Sequence, residues 1–155
     1  MNACRLVLMT LLCAVVLSCS HAYAETDEDI AAFTSLNGSR SLKCTYTLAS
    51  NTQGKGRGVV VKSVKEGLIV IFDSINYEHR TAKVIGNQLT SDVQVLPTAS
   101  GLSFLELTPS GNVIITTVFP AYAGDKKFSA VMSKHILMMG DAIPSQWHGT
   151  CKSGG

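Results

Sequence analysis

Leu102-Ser103-Phe104-Leu105-Glu106-Leu107 is separated by Pro109-Ser110-Gly111-Asn112 from Val113-Ile114-Ile115-Thr116-Thr117-Val118-Phe119. Two runs rich in β-branched and aromatic residues around a Pro/Gly/Asn turn form a hairpin signal. The second run is apolar on both faces, with Val113, Ile115 and Phe119 on one and Ile114 and Val118 on the other. A sheet open to water on one side would alternate more cleanly. Such strands are therefore central and well buried, or their outer face is covered by another element or a partner.

The same texture extends in both directions. Upstream lie Leu42 to Leu48, Gly58 to Val64, Leu68 to Phe72 after a tight turn at Glu66-Gly67, Thr81 to Ile85 ending at Gly86-Asn87, and Leu89 to Leu96 ending at Pro97. Downstream lie Phe128 to Ile136 and Gln146 to Cys151. Short runs at even spacing indicate a mainly β domain, a single small antiparallel β-barrel or β-sandwich built as a meander of about eight short strands. An outer-membrane barrel needs strands of about 9 to 11 residues and is set aside, because most of these runs are shorter.

Ahead of the β region, Glu25 to Leu36 reads as one short helix. Thr26 and Asp29 form a capping pair, acidic residues fill the first turn, and Ile30, Phe33 and Leu36 make an apolar stripe that Asn37-Gly38-Ser39 ends. Further forward, Arg5, the apolar run Leu6 to Leu17 and Ala22-Tyr23-Ala24 have the order of a secretory signal peptide cleaved before Glu25. The expected organisation is a signal peptide over 1–24, helix and connector over 25–40, a β domain over 41–151 and a frayed tail over 152–155. The apolar run is too short to span a bilayer, so no transmembrane span is expected after cleavage. Cys19, after Leu17-Ser18, offers an alternative in which the chain is lipid-anchored; otherwise the protein is periplasmic or secreted.

Of the five cysteines, Cys4, Cys13 and Cys19 fall in the leader, leaving Cys44 and Cys151. Two cysteines in an exported domain point to one disulfide closing nearly the whole chain. The 13 Lys and Arg residues, less Arg5, leave 12 against 11 Asp and Glu, a net of +1. That balance provides no strongly basic face for nucleic acid.

No catalytic signature stands out. Gly54-Lys55-Gly56-Arg57-Gly58 leads into strand rather than helix, so it reads as a cationic loop presenting Lys55 and Arg57 and not as a phosphate cradle. His79, His135 and His148 lack metal-ligand spacing, and neither a metal nor another cofactor is expected. Glu106 is notable as a carboxylate inside an apolar run. The densest cluster of unusual residues is C-terminal: Met138, Met139, Trp147 and His148 are candidates for a binding surface.

An exported small β domain whose first and last strands carry the two cysteines resembles, in layout, small periplasmic barrels such as the bacterial inhibitors of c-type lysozyme. The resemblance is one of architecture, and no inhibitory motif is matched residue by residue. The functional expectation is a non-enzymatic periplasmic or secreted binding or inhibitor-type protein for a protein or an apolar small molecule. Two alternatives stand beside it. One is an envelope-polymer hydrolase pairing Glu106 or Asp73 with His135 or His148; the other is a self-associating envelope subunit, for example a homodimer. Intact mass spectrometry of the protein from its host is expected to give an N-terminus at Glu25. A lipid-modified Cys19 would place the chain on a membrane surface instead.

Overall fold

The computed structural model describes residues 26–52, 59–87 and 89–154. The expected leader, Cys19, and the loop residues Lys55 and Arg57 lie outside the described residues. Helix α1 (Asp27–Gly38) is followed by eight strands: β1 (Leu42–Thr52), β2 (Val59–Asn76), β3 (Thr81–Ile85), β4 (Thr90–Thr98), β5 (Gly101–Leu107), β6 (Val113–Tyr122), β7 (Phe128–Met138) and β8 (Asp141–Ser153). Each strand pairs antiparallel with its neighbour in sequence, and β8 returns to β1, so the meander closes into a barrel. The choice left open between barrel and sandwich is settled as barrel.

Closure gives every strand two partners and one face toward the axis, which accounts for the buried period of two. Ala82 and Val84 on β3, Val93 and Val95 on β4, Leu102 and Phe104 on β5, and Phe128, Ala130 and Met132 on β7 are all buried. Phe72 and Phe104 stack across the interior with ring centroids 3.9 Å apart.

Two expectations about the strands are corrected. Glu66-Gly67 is not a hairpin turn: the runs on either side are one 18-residue strand, β2. The irregularity is absorbed in register, where pairing with β1 jumps from Tyr46↔Leu68 to Leu48↔Ser63. A bulge at the same place on β1 shifts its pairing with β8 from Tyr46↔Gly149 to Leu48↔His148. Glycines flank this bulge on both sides. A Cβ on Gly67 would meet the Tyr46 carbonyl oxygen at 3.3 Å, and one on Gly149 would run into the Thr45 carbonyl. Glycine is required at 149 for close backbone approach, whereas at 67 a Cβ would be tight but not excluded.

The second correction concerns length. β1, β2, β6, β7 and β8 have 10 to 18 residues, so short strands no longer argue against an outer-membrane barrel. The interior argues against it. Such barrels turn polar side chains to the lumen, whereas here Leu42, Val70, Phe72, Val95, Leu102, Phe104, Val118 and Phe128 fill it. Among the described residues no helix is long and apolar enough to cross a membrane.

Helix α1 starts at the expected capping box, with Thr26 Oγ1 accepting from the Asp29 amide and the Asp29 carboxylate accepting from the Thr26 amide. It packs against β5 and β6 at one end of the barrel. The apolar stripe is only partly used, since Leu36 and Ala32 are buried while Ile30 and Phe33 are 51% and 42% exposed. The helix meets the barrel through its second half, which leaves Ile30 and Phe33 at the rim. The Tyr77 hydroxyl sits 3.0 Å from both the Leu36 and Ser39 carbonyls, tying the helix end to the segment after β2. Lys152 and Ser153, expected in a frayed tail, are instead part of β8, and the Gly154 amide donates to the Ser41 carbonyl.

Cys44 and Cys151 stand directly opposite each other on β1 and β8, and their disulfide crosses the seam that closes the barrel, 107 residues apart in sequence. Both are fully buried. The Cys44→Ala/Cys151→Ala double variant is expected to lose about 2–5 kcal/mol of unfolding free energy, read by urea melts of oxidised wild type against the variant. An unchanged midpoint would mean that the β1–β8 ladder alone closes the barrel.

Candidate functional site

The barrel is filled unevenly. Toward α1 the interior is solid, whereas at the other end, where the β3–β4, β5–β6 and β7–β8 connections lie, it holds a cavity of about 460 Å³. An eight-stranded barrel has an interior just wide enough to be filled by side chains or to hold one small ligand. Phe72 and Phe104 form part of the cavity wall together with Leu68, Val70, Val84 and Met132, while Ile114 and Leu89 stand nearer the opening.

Period two explains how polar groups enter this apolar chamber. Glu106 continues the inward series of Leu102 and Phe104, and Lys134 continues that of Phe128, Ala130 and Met132. Ile114 pairs with Glu106 on one side and with Lys134 on the other, so the three form one row across β5, β6 and β7. Two strand spacings place the backbones of Glu106 and Lys134 about 9–10 Å apart. Both side chains line the cavity and both are half-buried.

Burial holds the Lys134 ammonium below the usual lysine range, and the Glu106 carboxylate opposes that shift. Lys134 has no carboxylate within 4 Å among the described residues. Its Nζ lies 5.2 Å from the centroid of the Trp147 ring, a cation–π distance. Trp147 is opposite Met132 on the adjacent strand, and its Nε1 is buried without a hydrogen-bond partner among the described residues.

A second orphan sits deeper. Tyr46 is fully buried and its hydroxyl makes no hydrogen bond among the described residues. Burial pushes its phenol far above the ordinary value, and the neighbouring Thr116 hydroxyl offsets only part of this. Thr116 is itself buried and lines the cavity. Unpaired buried polar groups are few in folded proteins and point to a missing partner or a functional reserve.

The residues singled out in the sequence separate. Trp147 turns inward, His148 follows it on the outer face, and Met139 is 98% exposed in the β7–β8 turn. Met138 ends β7, and its side chain lies outside what is described. Glu106 faces the cavity, whereas His135 pairs with Val113 on the outer face. Asp73 follows Phe72, which is opposite Leu42, while His148 is opposite Leu48. Six or seven steps at about 3.3 Å put these two about 20 Å apart. The carboxylates and histidines therefore do not share a cleft. Among the described residues no three His, Cys, Asp or Glu side chains gather as a metal site.

The outer wall carries half-exposed and exposed apolar residues, including Leu107 and Ile115 on the β5–β6 hairpin. These are the two-faced runs of the sequence, and no described residue covers Leu107 or Ile115. Lys134, Ile114, Met132 and Thr116 are the site residues that sequence reasoning passed over. Their signal was parity with the buried residues two positions before or after them.

Removing the Tyr46 hydroxyl costs no hydrogen bond and relieves a buried orphan, so Tyr46→Phe is expected to gain about 1–3 kcal/mol at neutral pH. The folded phenol keeps its proton above the unfolded value of 10.0. Stability is therefore intact below about pH 10 and falls as pH rises past it, and the variant flattens that fall. Urea melts from pH 7 to 11 check both effects; a loss of stability in the variant would reveal a hydrogen bond to Tyr46.

Comparison with protein-family models, curated proteins and solved structures finds no match for this chain.

Proposed function

We propose that this protein is a non-enzymatic, exported small-molecule binding protein whose barrel mouth takes an apolar ligand. The observation that carries the reading is the cavity of about 460 Å³, walled by Leu68, Val70, Phe72, Val84, Phe104 and Met132 and bearing Glu106 and Lys134 on one row. Ligand pockets typically measure about 300–1,000 Å³ and combine apolar walls with a few placed polar groups. Binding without catalysis is supported by the separation of Glu106 from His135 and His148, which face opposite sides of the wall. Export to the periplasm or medium is supported by the leader-like N-terminus and the buried disulfide, a bond that persists in oxidising compartments.

The test is titration with the neutral apolar fluorophore N-phenyl-1-naphthylamine. Saturable binding of one probe per chain is expected. Ile114→Phe, at the half-buried lip where extra volume can be accommodated, is expected to weaken binding by about tenfold, corresponding to roughly 1.4 kcal/mol. Leu107→Ser on the outer wall is expected to leave it unchanged. Non-saturable binding, or equal loss in both variants, would overturn the reading.

A further inference from the structure

We infer that the ligand of the barrel mouth is a medium-chain amphiphile with an anionic head, a fatty carboxylate whose tail enters the cavity and whose carboxylate is received by Lys134. The inference rests on the cavity reading above and adds the chemistry of the ligand.

The polar groups around the mouth are unequal. Lys134 is half-buried, lines the cavity and has no carboxylate within 4 Å among the described residues. Trp147, under the Lys134 ammonium, contributes a buried indole N–H that donates to nothing among the described residues. An ammonium and an indole N–H can only donate, so the group that completes them must accept. Among the described residues Glu106 is the one carboxylate lining the cavity, and its oxygens are not among the buried orphans. The Lys134 ammonium is likewise not among the buried orphans, so it keeps access to the chamber that it lines. A carboxylate makes the strongest bond to such an ammonium, and a charge-assisted acceptor is the interaction that a ligand can add at Lys134.

Apart from the Thr116 hydroxyl and Asn87, the remaining lining is mostly apolar. Below the Glu106–Ile114–Lys134 row lie Val70, Phe72, Phe104 and Met132, which offer nothing to a polar body and much to a hydrocarbon. At about 30 Å³ per water-sized group, the volume of about 460 Å³ takes roughly 15 such groups. That suits a carboxylate of about a dozen carbons better than one of 18. Glu106, two strands from Lys134, opposes a second negative charge and so favours a single carboxylate over a doubly charged phosphate head.

Trp147 is the only tryptophan, and its ring lies 5.2 Å from the Lys134 ammonium, so its emission reports on that group. The folded, oxidised protein is titrated below micellar concentrations with dodecanoate, octadecanoate, dodecanol and dodecylammonium, following Trp147 emission and displacement of N-phenyl-1-naphthylamine. Dodecanoate is expected to bind about tenfold or more tighter than dodecanol and dodecylammonium, the scale of one charge-assisted bond. It is also expected to bind more tightly than octadecanoate. Lys134→Met should abolish the preference for the acid while leaving dodecanol affinity in place; Lys134→Arg should keep it. Glu106→Gln should tighten dodecanoate by a few-fold through removal of the opposing charge.

Equal affinity for dodecanoate and dodecanol, or a preference that survives Lys134→Met, overturns the head-group assignment and leaves the apolar cavity standing. Probe binding without displacement by any of the four also overturns the amphiphile. Failure of every compound, the naphthylamine included, overturns both this inference and the reading beneath it.

Discussion

Everything in this molecule depends on joining β1 to β8. A meander of strands in chain order leaves its first and last edges unpaired, and unpaired edges are open to aggregation. Here those edges meet each other along most of their length, from Leu42↔Ser153 to Asn51↔Ser145. The closing pair carries the only disulfide among the described residues, at Cys44↔Cys151. In the chain-entropy model, linking residues about 100 apart removes on the order of 4–5 kcal/mol of unfolded-state freedom. The bond is buried inside the wall, so solvent thiols reach it only when the seam opens. Closure also sets the glycine pattern: the β1 bulge must fit between β2 and β8, and both neighbours present glycine at that height.

Closing eight strands fixes an interior width that side chains must then fill. At the α1 end they do, with Leu42, Leu102, Val118 and Phe128 buried and Leu36 of the helix against them. At the mouth they stop short. Filling the space would require one or two more large apolar residues in the row above Phe104 and Met132. That row instead carries Glu106, Ile114 and Lys134, two of which prefer water. A cavity costs stability in proportion to its volume when it is sealed, and an open, partly wetted mouth avoids most of that cost. The barrel thus has core at one end and a chamber at the other, with Glu106 and Lys134 at its lip.

Fold class was largely legible. Hairpin chemistry at Pro109-Ser110-Gly111-Asn112, the β-branched runs and the Thr26–Asp29 capping pair all behave as their local physics requires. The two-faced apolar runs were legible as a fact but not in their cause: inward residues fill the barrel and outward ones such as Leu107 and Ile115 remain exposed. Glu66-Gly67 misleads because a glycine inside a strand, beside the β1 bulge, looks in one dimension like a turn. Ile30 and Phe33 mislead because helical spacing specifies a face and not how much of that face the partner covers. Pro144 falls outside the expected run Gln146 to Cys151, yet it lies in β8 opposite His135, one position beyond Ser145, where pairing with β1 ends.

The site was less legible because it depends on which face each strand presents, and parity is set by closure rather than by any short segment. Trp147 and His148 are adjacent in sequence and look like one surface; in a strand, adjacency puts them on opposite sides of the wall. Glu106 and Lys134 are 28 positions apart in sequence and share a row only because β6 lies between them with Ile114 opposite both. Each continues a period-two series of buried residues, Leu102-Phe104 in one case and Phe128-Ala130-Met132 in the other. A charged residue that ends such a series marks where the core gives way to the mouth. Two of them at the same height mark a rim, and on one side of it the Lys134 ammonium lies over the Trp147 ring.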